Sequence, residues 1–224
     1  MNSVVIVAAG KGTRFGPERD KLFIEVNSLP VVAHTWRRFD LHPEVDEIIL
    51  VIRPELREAF EEIASKLRVA KTYRFAGGGA ERQDSVWKGL EAVSSGCELV
   101  AIHDAARPCV TPRVITDCFS AARTFGAAVA AQAVTDTIKE SQDGTTVAKH
   151  LDRSRLWSVQ TPQTFQYAVI RRALAEVRQR GLQVTDDTAA CELIGQAVHL
   201  VPSTTPNPKV TLPTDVPYIE LLLA

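Results

Sequence analysis

The sequence predicts an α/β fold: a mostly parallel sheet covered by helices. Two observations carry that expectation. Strand-like apolar runs and helix-like 3.6-residue patterns alternate along almost the whole of the 224 residues. The chain also opens on a buried strand, Val4 to Val7, that breaks at once into small residues, two glycines and an arginine, in VVIVAAGKGTRFG. A strand feeding such a loop marks a place where backbone can approach a phosphate chain closely.

Ala8, Ala9, Gly10 and Gly12 carry little or no side chain, so their N–H groups are accessible, and Lys11 and Arg14 add positive charge beside them. The spacing of Gly10, Gly12 and Gly16 departs from the dinucleotide-binding pattern, and Lys11 is not placed as in a P-loop. A glycine turn that serves only the strand-to-loop corner is the structural alternative.

Each later element follows from its pattern. Val31 to Phe39 has helical spacing, EIILVI at 47 to 52 is a second buried strand, and Pro54 opens a helix with Leu56, Phe60, Ile63 and Leu67 inward. KTYRFA at 71 to 76 reads as a strand ending in Gly77, Gly78 and Gly79. A helix capped near Asp84 or Ser85 follows it. ELVAIH at 98 to 103 is a strand that delivers Asp104 to its C-terminal end. Ligands of open α/β sheets bind there, and a carboxylate there suits magnesium or an ion pair with Arg107 equally. His103 reads as structural.

Thr111 and Pro112 open a helix that Gly126 ends, and AAVAAQ at 127 to 132 is a strand. Residues 134 to 153 lose the helical period and flank Asp143-Gly144, a hairpin signal. A lone hairpin is marginal in water, so this arm must lie against its own body or another subunit; a partner subunit is the expectation, and a loose surface insertion the alternative. LWSVQTPQTF leads to a helix ended at Gly181, Thr185 caps another running to Gly195, and AVHLVP is a late strand. Pro206, Pro208 and Pro213 then hold a loop carrying Lys209. The chain is expected to form one domain, 1–224, with a hairpin arm at about 134–153.

Composition is that of an ordinary globular protein, 45% hydrophobic and 24% charged with a net charge of -1. That balance offers no electrostatic case for nucleic-acid or membrane partners, so an anionic ligand must be held by local cations. No stretch is long and apolar enough for a span, and the first strand leaves no room for a signal peptide. Cys97, Cys109, Cys118 and Cys191 have no metal-like spacing and are expected as reduced thiols, so the compartment is expected to be cytoplasmic. The cations Arg14, Lys21, Arg153 and Lys209 stand without any Ser-His-Asp or Cys-His set. Attack of a phosphate on a nucleoside triphosphate fits, because it needs charge neutralisation more than a base.

The run AAGKGTRFG with Lys21 after it, GGGAERQDSV, HDAARP, Asp136-Thr137, Asp152-Arg153, TPQ at 161 to 163, TDD at 185 to 187 and KVT at 209 to 211 resembles the 2-C-methyl-D-erythritol 4-phosphate cytidylyltransferases, in order and over practically the whole chain. The resemblance implies a Rossmann-like nucleotidyltransferase fold with a protruding β-hairpin arm. It also implies transfer of CMP from CTP to the polyol phosphate, with Mg2+, by a homodimer. It further implies that Arg14 and Lys21 stabilise the transition state, that Lys11 lies near the triphosphate, and that Arg153 and Lys209 position the attacking phosphate. Nucleotide binding is implied for Ala8, Ala9, Gly10, Lys11, Gly12, Gly79, Ala80 and Ser85. Substrate binding is implied for Asp104, Ala105, Arg107, Thr137, Thr161 and Thr185 besides Arg153 and Lys209, with Asp104 beside the metal. Ala80 stands where an acidic residue is common, and Pro208 where isoleucine is usual. A ribitol 5-phosphate cytidylyltransferase, a non-catalytic nucleotide-binding module and an NAD-dependent oxidoreductase are the rival readings.

Overall fold

The computed structural model describes residues 1–10, 12, 15 and 20–224. Its elements in chain order are β1 (Asn2–Val7), β2 (Glu25–Val26), β3 (Leu29–Pro30), α1 (Val31–Asp40), β4 (Glu47–Ile52), α2 (Arg57–Leu67), β5 (Thr72–Gly77), α3 (Arg82–Glu91), β6 (Leu99–Asp104), α4 (Pro112–Phe125), β7 (Ala127–Ala133), β8 (Lys139–Glu140), β9 (Lys149–His150), β10 (Trp157–Gln166), α5 (Tyr167–Gln179), α6 (Asp187–Glu192), β11 (His199–Pro202) and α7 (Val216–Leu223).

Seven strands form the main sheet in the order β11-β7-β10-β6-β1-β4-β5. All neighbours are parallel except β10, which runs antiparallel to both β6 and β7. Strand geometry divides the core. Alternate residues of each strand point to opposite faces, so Ile6, Ile48, Leu50 and Ala101 pack with Trp36, Phe60 and Phe119 on one side. Val5, Ile49, Val51 and Ile102 pack with Val86, Leu90, Leu174 and Val177 on the other. Helices α1, α2 and α4 thus cover one face, and α3, α5 and α6 the opposite one.

The strand and helix expectations for 47–52, 71–76, 98–103 and 111–126 hold to within a residue or two. Three local expectations are corrected. Glu81 caps α3, with Asp84 Oδ2 accepting from the Glu81 N–H at 3.2 Å, so the helix starts before Asp84. Asp186, not Thr185, caps α6, because its carboxylate reaches the Ala189 N–H at 2.8 Å. WSVQTPQTFQ is itself a strand rather than a lead-in. It was hidden because its buried residues include Gln160, Thr161, Gln163 and Thr164.

The arm segment contains a short antiparallel ladder pairing Lys139 with His150 and Glu140 with Lys149. Its turn is wider than the two-residue type, because Asp143 Oδ1 accepts from the N–H groups of Thr145 and Thr146 at 2.8 and 2.7 Å. Val147 at its tip is 62% exposed. All four cysteines are free thiols, with Cys118 and Cys191 buried on α4 and α6. Among the described residues, no helix is long and apolar enough to cross a membrane.

Candidate active site

Strand β1 has β4 on one side and β6 on the other, so chain direction away from it reverses there, which places a crevice at the C-terminal ends of these strands. Three loops leave that edge. The Ala8 N–H bonds the Val51 carbonyl at 2.8 Å, that of Gly78 the Ile52 carbonyl at 2.9 Å, and that of Ala105 the Val7 carbonyl at 3.1 Å. The ladder is thereby extended into each loop. Between them lies a cavity of about 480 Å³, lined by Ala8, Ala9, Gly10, Gly12, Lys21, Gly79, Ala80, Glu81, Arg82, Ser85, Asp104, Ala105, Lys209 and Thr211 among others.

One wall is made by glycines for steric reasons. A Cβ on Gly78 would lie 2.4 Å from the Ala9 Cβ, and one on Gly79 would lie 2.2 Å from that of Asp84. Ser85 Oγ accepts from the Gly79 N–H at 3.0 Å and donates to the Glu81 carbonyl at 3.2 Å, while Lys88 Nζ donates to the Gly78 carbonyl at 2.8 Å. Ser85 therefore shapes the wall.

The opposite wall is charged. Lys209 Nζ lies 2.8 Å from Asp104 Oδ2, Arg107 Nε 3.6 Å from the same oxygen, and Arg82 Nε 3.5 Å from Asp104 Oδ1. Arg82 Nη1 also lies 2.8 Å from Oδ2 of the fully buried Asp187. Burial pushes the Asp104 carboxyl up, but Lys209, Arg82 and Arg107 together hold it well below the usual carboxylate range. Burial likewise works against the Arg82 charge, and Asp187 and Asp104 outweigh it, so Arg82 stays a cation. For Asp187, burial dominates and its carboxyl is raised.

Two further contacts tie the C-terminal segment to this edge. The Val210 N–H donates to the Ala106 carbonyl at 2.9 Å, and Lys21 Nζ donates to the Val210 carbonyl at 2.8 Å. Lys21 stands in a 3-10 turn whose cap, Asp20, accepts from the Leu22 N–H and pairs with Arg53. Beneath the site, fully buried His103 has its Nε2–H on the Arg107 carbonyl at 3.0 Å, which leaves Nδ1 to accept from Thr161 Oγ1 at 3.0 Å. Thr161 Oγ1 accepts in turn from the Asp104 N–H at 3.1 Å. Burial pushes His103 down to about 4, so the ring is neutral at pH 7. The structural reading of His103 holds.

The structure thus brings together Ala8, Ala9, Gly10, Gly12, Lys21, Gly79, Ala80, Ser85, Asp104, Ala105 and Lys209. Arg107 backs Asp104 and donates to the Asn207 carbonyl at 2.7 Å, and Thr161 lies under the floor instead of facing the cavity. Thr137 and Arg153 are exposed on the arm segment, where Arg153 Nη1 donates to the Thr135 carbonyl at 2.6 Å, and Thr185 is exposed ahead of α6. None of these three lines the cavity in one chain. Lys11 and Arg14 lie outside the described residues. Arg82 and Thr211 were not anticipated. The signal for Arg82 was its place as the cation directly behind the three glycines.

The family model for 2-C-methyl-D-erythritol 4-phosphate cytidylyltransferase (IspD) matches residues 2–224. The protein of that name from Geobacillus thermodenitrificans is 40% identical over 220 residues, covering 98% of this chain and 96% of its own. That from Bacillus mycoides is 40% identical over 223 residues, covering 100% and 98%. Among solved structures, 4-diphosphocytidyl-2C-methyl-D-erythritol synthase from Anaerococcus prevotii matches with a TM-score of 0.89 at 28% identity, over 99% of this chain and 95% of that one. The cytidylyltransferase from Thermus thermophilus matches with a TM-score of 0.80 at 31% identity, over 99% and 98%.

Proposed function

This chain belongs to the 2-C-methyl-D-erythritol 4-phosphate cytidylyltransferase family, and from that premise we infer that it transfers CMP from CTP to 2-C-methyl-D-erythritol 4-phosphate, releasing pyrophosphate. A phosphate oxygen of the polyol substrate attacks the α-phosphorus of CTP, and the bond from that phosphorus to the β-phosphate oxygen breaks. The attacking phosphomonoester is largely dianionic near neutral pH, so no side chain must take a proton from it. Two polyanions must instead be brought together. The observation that carries this reading is the meeting of Lys21, Arg82 and Lys209 with the small-residue loops in one cavity.

In this reading the cytosine and ribose lie along Ala8, Ala9, Gly79 and Ala80, where backbone groups suffice and Ala80 costs no contact. Lys21, with Arg14 and Lys11 from the same loop, neutralises charge that develops on the α-phosphorus oxygens. Lys209, held on Asp104, positions the attacking phosphate. Each cation about 4 Å from a phosphate oxygen contributes on the order of 4 kcal/mol gross at an effective dielectric near 20, before desolvation.

Magnesium fits this site as a companion of the triphosphate, not as a resident ion. The Asp104 carboxylate already faces three cations within 3.6 Å, and among the described residues no group of three or more metal-ligating side chains exists. Magnesium also commonly binds through substrate phosphates. Magnesium in this reading belongs to the nucleotide substrate, and Asp104 serves its three cations.

The working unit proposed is a homodimer in which the arm carries Thr137 and Arg153 to the partner's cavity. Support comes from their absence from the cavity lining within one chain and from the exposed Val147 at the arm's tip. The test of function is pyrophosphate release from CTP with magnesium, offering methylerythritol phosphate and ribitol 5-phosphate in parallel. Release with the first alone is expected; release with the second alone overturns the acceptor, and release with neither overturns the enzymatic reading.

A further inference from the structure

Asp187 is a carboxylate with no access to solvent, in the first turn of α6, outside the lining of the cavity. A buried charge is costly to keep unless something requires it. The Asp187 backbone is fixed by its surroundings, while among the described residues the carboxylate itself meets only Arg82. The Asp187 N–H donates to Gln163 Oε1 at 3.0 Å, Gln163 Nε2 donates to Asp186 Oδ2 at 3.0 Å, and Asp186 Oδ1 accepts from the Ala189 N–H at 2.8 Å. Strand β10 and the start of α6 are thereby locked together at the backbone that carries this carboxylate. That carboxylate has one cationic neighbour within ion-pair distance among the described residues, Arg82 at 2.8 Å.

Arg82 does line the cavity. Its other anionic contact, Asp104, is looser at 3.5 Å and is shared with Lys209 at 2.8 Å and Arg107 at 3.6 Å. A guanidinium held only by that longer contact would be free to close on Asp104 and displace Lys209, or to swing into the cavity. The second carboxylate removes both options.

We infer that Asp187 is a positioning residue for the transfer reaction: it fixes Arg82 so that the cavity presents one defined guanidinium to the nucleotide and Lys209 keeps its place on Asp104. The assignment rests on the proposed function and extends the active site from α3 to α6 on the same face of the sheet, an element that contributes nothing to the cavity surface. Gln163 belongs to the same device, because it holds the Asp187 backbone and the adjacent cap at once.

The experiment is a double-mutant cycle with Arg82→Gln, Asp187→Asn and the pair. The readouts are kcat, KM for each substrate, CTP affinity by calorimetry and thermal midpoint. Each single change is expected to lower kcat/KM about tenfold or more, as directly coupled pairs do, and the double variant is expected to be no worse than the poorer single. Its thermal midpoint is expected to lie above that of Arg82→Gln, which strands a buried carboxylate. Losses that multiply in the double variant overturn the inference, as does Asp187→Asn with native midpoint and unchanged kcat and KM. If Asp187→Asn does not fold, comparing the double variant with Arg82→Gln decides, since removing Asp187 must then cost no further activity. Should the unsubstituted protein release no pyrophosphate with either acceptor, the functional reading fails separately, and coupling is still read from CTP affinity.

Discussion

Lys209 Nζ and Asp104 Oδ2 meet at 2.8 Å, joining a proline-held loop near the end of the chain to the tip of a central strand. A carboxyl held below its ordinary value of 3.8 adds stability that is present above that value and is lost as pH falls through its folded value. Asp104→Asn should therefore lower the urea midpoint at pH 7. The gap from the unsubstituted protein should narrow as pH falls below about 4. A gap that does not change with pH contradicts the ion-pair account.

His103 predicts a second acid-side loss in a different window. Its folded value of about 4 lies below the ordinary 6.5, so between these the unfolded chain takes a proton that the folded chain refuses. Stability from this group is complete above 6.5 and declines as pH falls to about 4, by on the order of 3 kcal/mol. Equilibrium unfolding of His103→Gln should show a shallower slope across that window. Equal slopes would mean the ring titrates normally.

Lys21 donates to the Val210 carbonyl across the cavity, so its ammonium is tied to the C-terminal segment. Lys21→Ala should reduce kcat by about a hundredfold or more, the scale for losing one aimed charge donor. CTP affinity should change much less. A variant whose KM rises while kcat stays put would show that the lysine only binds.

Arg153 tests the dimer. Lys21→Ala damages the pocket and Arg153→Ala the arm, so each homodimer should be inactive. If the arm works across the interface, a mixed dimer has one intact site of its two. Equal mixing makes half the dimers mixed, so about a quarter of full activity should return by this isologous geometry. Mixing after denaturation and refolding, followed by a rate assay, measures it, and no recovery means Arg153 acts within its own chain.

Much of the sheet was readable because continuous apolar runs such as EIILVI admit little else, and α4 announced itself by Thr111 and Pro112 at one end and Gly126 at the other. Strand β10 was not, since Gln160, Gln163 and Thr164 are buried by hydrogen bonding and not by hydrophobicity. Helix α7 was missed because Pro217 and a run of leucines give no clear polar face. The loops of the small-residue wall of the cavity were legible as such. Arg82 was not assigned a role, because its partners Asp104 and Asp187 lie on other elements and no spacing along the chain brings them together.

The stitching of Val210 to Ala106 and to Lys21 has a consequence for synthesis. On the ribosome, the glycine loop, β1, β4, β5 and β6 all emerge long before residue 209. A polypeptide released early would own the glycine wall of the cavity but lack Lys209 and the carbonyl on which Lys21 rests. If Lys209 and Lys21 act as proposed, products that end before residue 209 are expected to show no CTP turnover, and activity is expected to await docking of this segment.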